Sequence, residues 1–227
     1  NKGLSLAKGE YVWFVDSDDW IESNCLKFLI EKCESQSLDA LGICAANVIG
    51  DDLVRRFNHA EGKIISGKEA LIDGIMNVQV PFTIYRRLFL LKNKLKMKEG
   101  IFHEDSEFSP RAYYQADRVS FVDDILYFVR QNPNSITRTP NPKKAFDCIN
   151  VANSLSKFSE QVDDKVISRF DYIISMNINN SLFNTYDMSN EKKEELNQYI
   201  YNHKNLFKHL LRSNVLKYKL EGFLFYI

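Results

Sequence analysis

The sequence lacks a net charge, because 30 lysines and arginines balance 30 aspartates and glutamates over 227 residues. Without a basic excess there is no global field to attract nucleic acid, so we expect no nucleic-acid partner and look for local groups that hold anions. The sequence also lacks any apolar run near the roughly 20 residues that span a bilayer. Hydrophobic residues make up 44% and charged residues 26%, which is typical of a folded protein with a core.

Cysteine pairs with metal-binding spacing are missing as well. The four cysteines form no CxxC pair and have no companion histidines, which excludes the common zinc patterns. We therefore expect buried, reduced thiols in a reducing compartment. The cysteines are Cys25, Cys33, Cys44 and Cys148.

The chain begins with the pattern of a helix already under way. Residues 1–8 have no initiator methionine and no clear N-cap, and Lys8-Gly9 is typical of a helix end. We therefore expect the N-terminus to be a cut in a longer protein.

The pattern divides into an α/β front, residues 1–140, and a helical back, residues 141–227. The apolar run Tyr11–Val15 is typical of a strand buried on both faces of a parallel sheet. An amphipathic helix near 23–36 is expected to bury Leu26, Leu29, Ile30 and Cys33. Further predictions are a strand at Ala40–Val48, a helix from Ser66 to about Met76, a helix or strand at Ile84–Leu91, a helix over about 102–116, and strands at Val119–Val122 and Leu126–Val129.

Three carboxylates, Asp16, Asp18 and Asp19, follow the first apolar run directly. Such crowding persists where a cation or solvent compensates the charge, and ligands of open α/β sheets bind beyond the carboxyl ends of strands. Carboxylate oxygens suit Mg²⁺ or Mn²⁺, which often complete their shells with phosphate oxygens and water. The cluster therefore predicts a site for a divalent cation and a diphosphate. A solvated acidic turn that caps the next helix is the alternative.

Two later groups can also carry chemistry. Asp105 stands at a helix start, where the dipole favours the charged carboxylate, so it is a candidate general base; a capping role is the alternative. His103 beside it is interpreted as a polar neighbour rather than a metal ligand. Arg130 precedes Ser135 and Thr137 in a loop and could bind a diphosphate bidentately, or be a structural arginine.

Two other enzyme and binding classes use a similar acidic motif. A calcium hand needs glycine and glutamate where Ile21 and Lys27 stand, so it is excluded. A haloacid-dehalogenase-like phosphatase would use Asp16 as its nucleophile. Trp20 departs from that pattern and the downstream pair Asp123-Asp124 is a poor match. The phosphatase and a non-catalytic interaction domain stay open as rivals.

The acidic cluster, the Asp105 group and the Arg130 group follow one another along the chain. Their order and motifs resemble those of the inverting family 2 glycosyltransferases of GT-A fold, which act in bacterial capsule, exopolysaccharide and lipopolysaccharide assembly. The resemblance covers about residues 1–140. Its motifs are N-x-G-L…A-x-G-E-Y…F-x-D-S-D-D at residues 1–20, E-D at Glu104-Asp105, and R…S-I-T from Arg130 to Thr137.

The resemblance implies roles for these residues. Asp16 and Asp18, with Asp19, would hold the donor diphosphate and Mg²⁺ or Mn²⁺, the metal ligands being Asp18 and Asp16. Asp105 would deprotonate the acceptor hydroxyl for a single inverting displacement, and Arg130 and Ser135 would contact the diphosphate or its loop. The expected substrates are a UDP-linked sugar and a glycan or lipid-linked acceptor.

The resemblance also implies a fold. We expect a GT-A-like, partial Rossmann-type mixed sheet flanked by helices, followed by an all-α C-terminal region. The family's opening strand, its P-x-Y-N turn and its D-D-G-S-x-D segment do not occur here, so we expect this fragment alone to be inactive. The tail from Leu206 to Ile227 mixes apolar and basic residues, so it could lie at a membrane surface; a core-packing or dimer helix is the alternative. The expected location is the cytoplasm, at the inner membrane face.

Overall fold

The computed structural model describes residues 1–56, 62–131 and 141–226. The strands in these residues are β1 (Tyr11–Trp13), β2 (Trp20–Ile21), β3 (Ala40–Ile49), β4 (Asp52–Arg55), β5 (Thr83–Arg86) and β6 (Val119–Arg130). The α-helices are α1 (Lys2–Leu6), α2 (Cys25–Ser35), α3 (Gly67–Ile72), α4 (Arg87–Lys92), α5 (Glu104–Gln115), α6 (Lys143–Ser159), α7 (Asp164–Phe183), α8 (Asn190–Asn202), α9 (Phe207–Arg212) and α10 (Leu216–Tyr226).

The strands form one mixed sheet in the order β1-β5-β3-β6-β2, and β4 pairs with β3 beside β5. Only β3 and β6 are parallel to each other among these pairs, and the other pairs are antiparallel. Residues 40–46 of β3 are buried, as expected for a central strand that is covered on both faces. The expected mixed sheet flanked by helices, followed by a helical C-terminal part, is confirmed.

The prediction for the first apolar run was wrong in its length, its burial and its strand direction. The strand β1 covers only three residues, is half-buried, and pairs antiparallel with β5. The aromatic side chains explain this placement, because each uses its apolar body for packing and its polar tip for a hydrogen bond. The Tyr11 hydroxyl donates to the carbonyl of Cys33 at 3.0 Å, and Nε1 of Trp13 donates to the carbonyl of Pro81 at 2.7 Å.

Other elements differ from the prediction in detail. Leu26 is 54% exposed, so the buried face of α2 consists of Cys25, Leu29 and Cys33 instead. The ambiguous segment at 84–91 is the end of β5 followed by α4. The two strands expected at 119–129 are one strand, β6, whose register with β3 shifts near Cys44. A bulge of this kind interrupts the pattern of a strand without ending it.

The chain divides into two compact units, Asn1–Met97 with Phe108–Arg138 and Lys98–Glu107 with Thr139–Ile227. The boundary drawn at residue 140 from the sequence stays a prediction. In the first unit, α2 packs against the sheet through an apolar core that includes Leu29, Leu41 and Tyr127. All four cysteines are buried, and none of them forms a disulfide.

In the second unit, a buried hydrogen-bond network joins α6, α7 and α9. Nε2 of His209 lies 2.8 Å from the Ser156 hydroxyl, and its Nδ1 lies 2.5 Å from Oδ1 of Asp171. The contacts have the order of a Ser-His-Asp nucleophilic site. Ser156 and Asp171 are 3% exposed and His209 is 1% exposed. Because a substrate cannot reach the serine, we interpret the network as structural.

We expect His209→Ala to lower the free energy of unfolding by about 3 kcal/mol, because the buried Asp171 carboxylate loses its partner. Urea denaturation followed by circular dichroism measures this change. The control is His203→Ala at a half-buried histidine whose Nδ1 contacts the Tyr199 carbonyl. The control is expected to cost less than about 1 kcal/mol. Equal losses in the two variants would contradict the role of the network.

Candidate functional site

The residues between β1 and β2 form a short acidic loop, residues 16–19. Its turn is closed by the Asp19 N–H, which donates to the Asp16 carbonyl at 3.2 Å. The Asp16 N–H donates to the Tyr127 hydroxyl of β6 at 3.0 Å. After the loop, β2 pairs with β6, with Trp20 opposite Phe128. The acidic loop is therefore held against the carboxyl end of β6.

Asp19 anchors this loop. Its Oδ1 accepts the backbone N–H of Arg130 at 2.9 Å. Burial raises the pKa of Tyr127 far above its ordinary value, and the charges of Asp16 and Asp19 raise it further. Tyr127 is therefore a neutral hydroxyl at physiological pH. Asp16 and Asp18 are exposed, whereas Asp19 is half-buried.

Arg130 lies beside the acidic loop. Its Nε donates to the carbonyl of Asp18 at 3.1 Å, and its guanidinium lies 5.6 Å from the centroid of the Trp20 ring. The Trp20 ring in turn stacks on Phe128 with centroids 5.7 Å apart. Arg130 thus supports the shape of the loop. Ser135 and Thr137 lie outside the described residues.

Three polar residues beside the acidic loop were missed in the sequence. Oδ1 of Asn47 accepts hydrogen bonds from Nη1 of Arg56 at 3.2 Å and from Nε2 of Gln131 at 3.0 Å. They follow no motif, and the consecutive arginines at 55 and 56 were the one signal in the sequence that could have led to them. The register of β3 with β4 and β6 brings the three together.

Asp105 lies in the first turn of α5 and is half-buried. His103, just before the helix, has a left-handed backbone with φ 64°, and its carbonyl accepts the Glu107 N–H at 3.3 Å. The buried Glu107 side chain accepts the Ser154 hydroxyl at 2.7 Å. Burial lowers the pKa of His103, and the charge of Lys144 lowers it further, so the imidazole is neutral at pH 7. These residues belong to the second unit, and the acidic loop belongs to the first.

Comparison with known proteins gives the family. Residues 1–95, which include the acidic loop, match the model of glycosyl transferase family 2. Residues 1–95 are therefore similar to a family 2 glycosyltransferase domain. The domain's relatives include the uncharacterized glycosyltransferase EpsJ of Bacillus subtilis, which is 28% identical over 211 residues, or 89% of this chain and 55% of EpsJ.

A second relative is the poly(ribitol-phosphate) β-N-acetylglucosaminyltransferase TarS of Staphylococcus aureus. TarS is 32% identical over 130 residues, which is 56% of this chain and 22% of TarS. The crystal structure of TarS 1–349 in complex with UDP-GlcNAc has the same fold, with a TM-score of 0.68 and 21% identity over 98% of this chain and 66% of that chain.

The chain spans about half the length of the curated relatives it matches. Asp105 and Arg130 lie beyond the 95 residues that match the family model. The comparisons give no support to the phosphatase alternative. One member of its candidate acidic pair is also engaged by another residue, because Oδ1 of Asp123 accepts a hydrogen bond from Nη1 of Arg55 at 2.9 Å.

A divalent cation at this site would have to be held by the carboxylates of the acidic loop. Within the described residues, no three His, Cys, Asp or Glu side chains lie close enough to form a site made by the protein alone. Asp19 is bound to the Arg130 backbone, so the exposed carboxylates of the loop are Asp16 and Asp18. Mg²⁺ is commonly held by one or two carboxylates together with substrate phosphates and water. The two exposed carboxylates fit an ion of that kind.

Proposed function

We propose that the protein transfers a sugar from a UDP-linked donor to a hydroxyl of a glycan or lipid-linked acceptor, with inversion at the anomeric carbon. The observation that carries the proposal is the acidic loop, where exposed Asp16 and Asp18 are held at the sheet by Asp19 and Arg130. The family 2 domain supports the reaction class. The UDP and UDP-GlcNAc complexes of TarS, which has the same fold, support the choice of donor.

Asp16 and Asp18 are the proposed ligands of Mg²⁺ or Mn²⁺. When bound, the ion would neutralise negative charge that the diphosphate gains as it leaves the sugar. Arg130 is proposed to add positive charge beside the same diphosphate. Its contact with the Asp18 carbonyl supports this role, because it keeps the guanidinium at the loop. Ser135 is kept as a proposed contact of the diphosphate or its loop.

Asp105 is the proposed general base. It would take the proton of the acceptor hydroxyl, and the hydroxyl oxygen would then bond to the anomeric carbon as that carbon's bond to the donor phosphate oxygen breaks. One displacement without an enzyme nucleophile inverts the configuration. Support comes from the place of Asp105 in the first turn of α5, where the helix dipole favours a carboxylate.

The test of this function is a transfer assay with the full-length protein, UDP-linked hexoses and N-acetylhexosamines, and a set of glycan and glycolipid acceptors. An α-linked donor is expected to yield a β-linked product, which NMR of the anomeric proton identifies. A product that retains the α configuration would contradict the single displacement. Phosphoester hydrolysis that Asp16→Asn abolishes, without any sugar transfer, would instead establish the phosphatase.

The C-terminal helices are proposed to contact a membrane surface or a second copy of the protein. Support comes from apolar residues on α10 that are more than half exposed and recur at helical spacing, namely Leu216, Leu220, Phe223 and Leu224. No helix in residues 1–56, 62–131 or 141–226 has the length and hydropathy of a membrane span. The proposed location is the cytoplasm, and four cysteines that form no disulfide support a reducing compartment.

A further inference from the structure

Arg56 lies directly after β4, next to the acidic loop, and has no role in the function proposed so far. Its backbone N–H donates to the carbonyl of Ala45 at 3.0 Å, so pairing with β3 determines where its side chain begins. Its neighbour Arg55 is in a different environment, with Nη1 2.9 Å from a carboxylate oxygen of Asp123. Successive side chains along an extended chain point to opposite faces of a sheet, which explains why Arg55 and Arg56 have different surroundings.

Neutral groups hold the guanidinium of Arg56. Its Nη1 donates to Oδ1 of Asn47 at 3.2 Å, and its Cζ lies 5.1 Å from the centroid of the Phe82 ring. Among the residues that the structure describes, Arg56 forms no ion pair with a carboxylate. Burial lowers the pKa of Arg56, and the nearby charge of Asp19 opposes this shift. A partly desolvated guanidinium held by neutral groups is suited to bind the oxygens of a phosphate.

Two contact paths join this guanidinium to the acidic loop. Asn47 also accepts Nε2 of Gln131, and the preceding residue, Arg130, donates its backbone N–H to Asp19. On the other path, the Phe82 ring lies edge-on to the Tyr127 ring at 5.4 Å. The Tyr127 hydroxyl accepts the N–H of Asp16, the first residue of the loop. The two paths place Arg56 beside the loop that is proposed to hold the donor.

We propose that Arg56 binds a phosphoryl group of a substrate next to the acidic loop. This inference rests on the proposed transfer function. The phosphoryl group belongs to the diphosphate of the donor or to a phosphate-bearing acceptor, since both present the same oxygens to a guanidinium. Arg130 and Arg56 would then supply positive charge from the ends of β6 and β4.

The test compares Arg56→Gln with the matched variant Arg55→Gln in the full-length protein. Calorimetry with UDP and with uridine separates phosphate binding from nucleoside binding. If the donor diphosphate is the ligand, Arg56→Gln weakens UDP binding about tenfold or more and leaves uridine binding unchanged. Arg55→Gln is expected to bind both as the wild type does. Arg56→Lys keeps the charge but not the planar guanidinium, so it is expected to lose less UDP affinity than Arg56→Gln. It replaces Arg56→Gln in the test if that variant does not fold.

The acceptor arm compares the KM for acceptors with and without a phosphate group. If the acceptor supplies the phosphoryl group, UDP binding stays unchanged and only the KM of the phosphate-bearing acceptor rises in Arg56→Gln. Wild-type UDP binding and wild-type KM values for both acceptors would overturn the proposal for Arg56 while the transfer function stands. A wild-type protein that neither binds UDP nor transfers sugar would refute the function itself.

Discussion

Asp105→Asn in the full-length protein is expected to lower kcat for sugar transfer by about 10²–10⁴-fold, the range that general-base catalysis contributes. The amide is isosteric with the carboxylate but cannot accept the proton of the acceptor hydroxyl. Binding of UDP should stay within about twofold of wild type, because the proposed donor ligands are in the acidic loop. Steady-state kinetics and calorimetry on the same preparation measure the two effects.

Asp164→Asn is the matched control for the Asp105 variant. Asp164 is also an aspartate in the first turn of a helix, α7, and it is exposed. The same chemical change there is expected to leave kcat unchanged. An Asp105→Asn protein that keeps more than about a tenth of the wild-type rate would remove Asp105 from the role of base.

Asp18→Ala is expected to reduce kcat/KM by at least about 100-fold, because it removes one of two exposed carboxylates proposed to hold the metal. Chelation of divalent ions by EDTA should reduce the wild-type rate by a similar factor, and Mg²⁺ or Mn²⁺ should restore it. The residual rate of Asp18→Ala should not respond to EDTA, because both treatments remove the same contribution.

Asp51→Ala is the control for the Asp18 variant. Asp51 is an exposed aspartate in the turn between β3 and β4, in the same unit of the chain. Its replacement is expected to leave both the rate and the response to EDTA unchanged. A wild-type rate that persists in EDTA would exclude the metal from the reaction, whatever the effect of Asp18→Ala.

The sequence was sufficient to locate the acidic loop because its motif is a long continuous string, residues 7–20, that needs no tertiary information. The direction of β1 could not be obtained in this way. A run such as Tyr11–Trp13 indicates burial, but the partner strand β5 lies about 70 residues further on, and pairing depends on chain connections between them. The local sequence pattern therefore predicted a strand at β1 but not the strand that pairs with it.

Residues that meet only through tertiary contacts escaped the sequence analysis. The register of the β3–β4 hairpin brings Arg56 to Asn47, and apart from the adjacent Arg55 nothing in its local sequence marks that contact. His209 lies 53 positions from Ser156 and 38 from Asp171, so its pattern was that of an ordinary helical histidine. The role of Asp105 stays a prediction from its motif and from its place at a helix start.

The central claim is that the acidic loop binds the donor diphosphate together with a divalent ion. Calorimetric titration of the full-length protein with UDP in the presence of Mn²⁺ tests it most directly, with wild type, Asp18→Ala and Asp51→Ala measured side by side. The account predicts that wild type and Asp51→Ala bind UDP with the same affinity, and that Asp18→Ala loses most of that affinity. Equal UDP binding by all three proteins would contradict it.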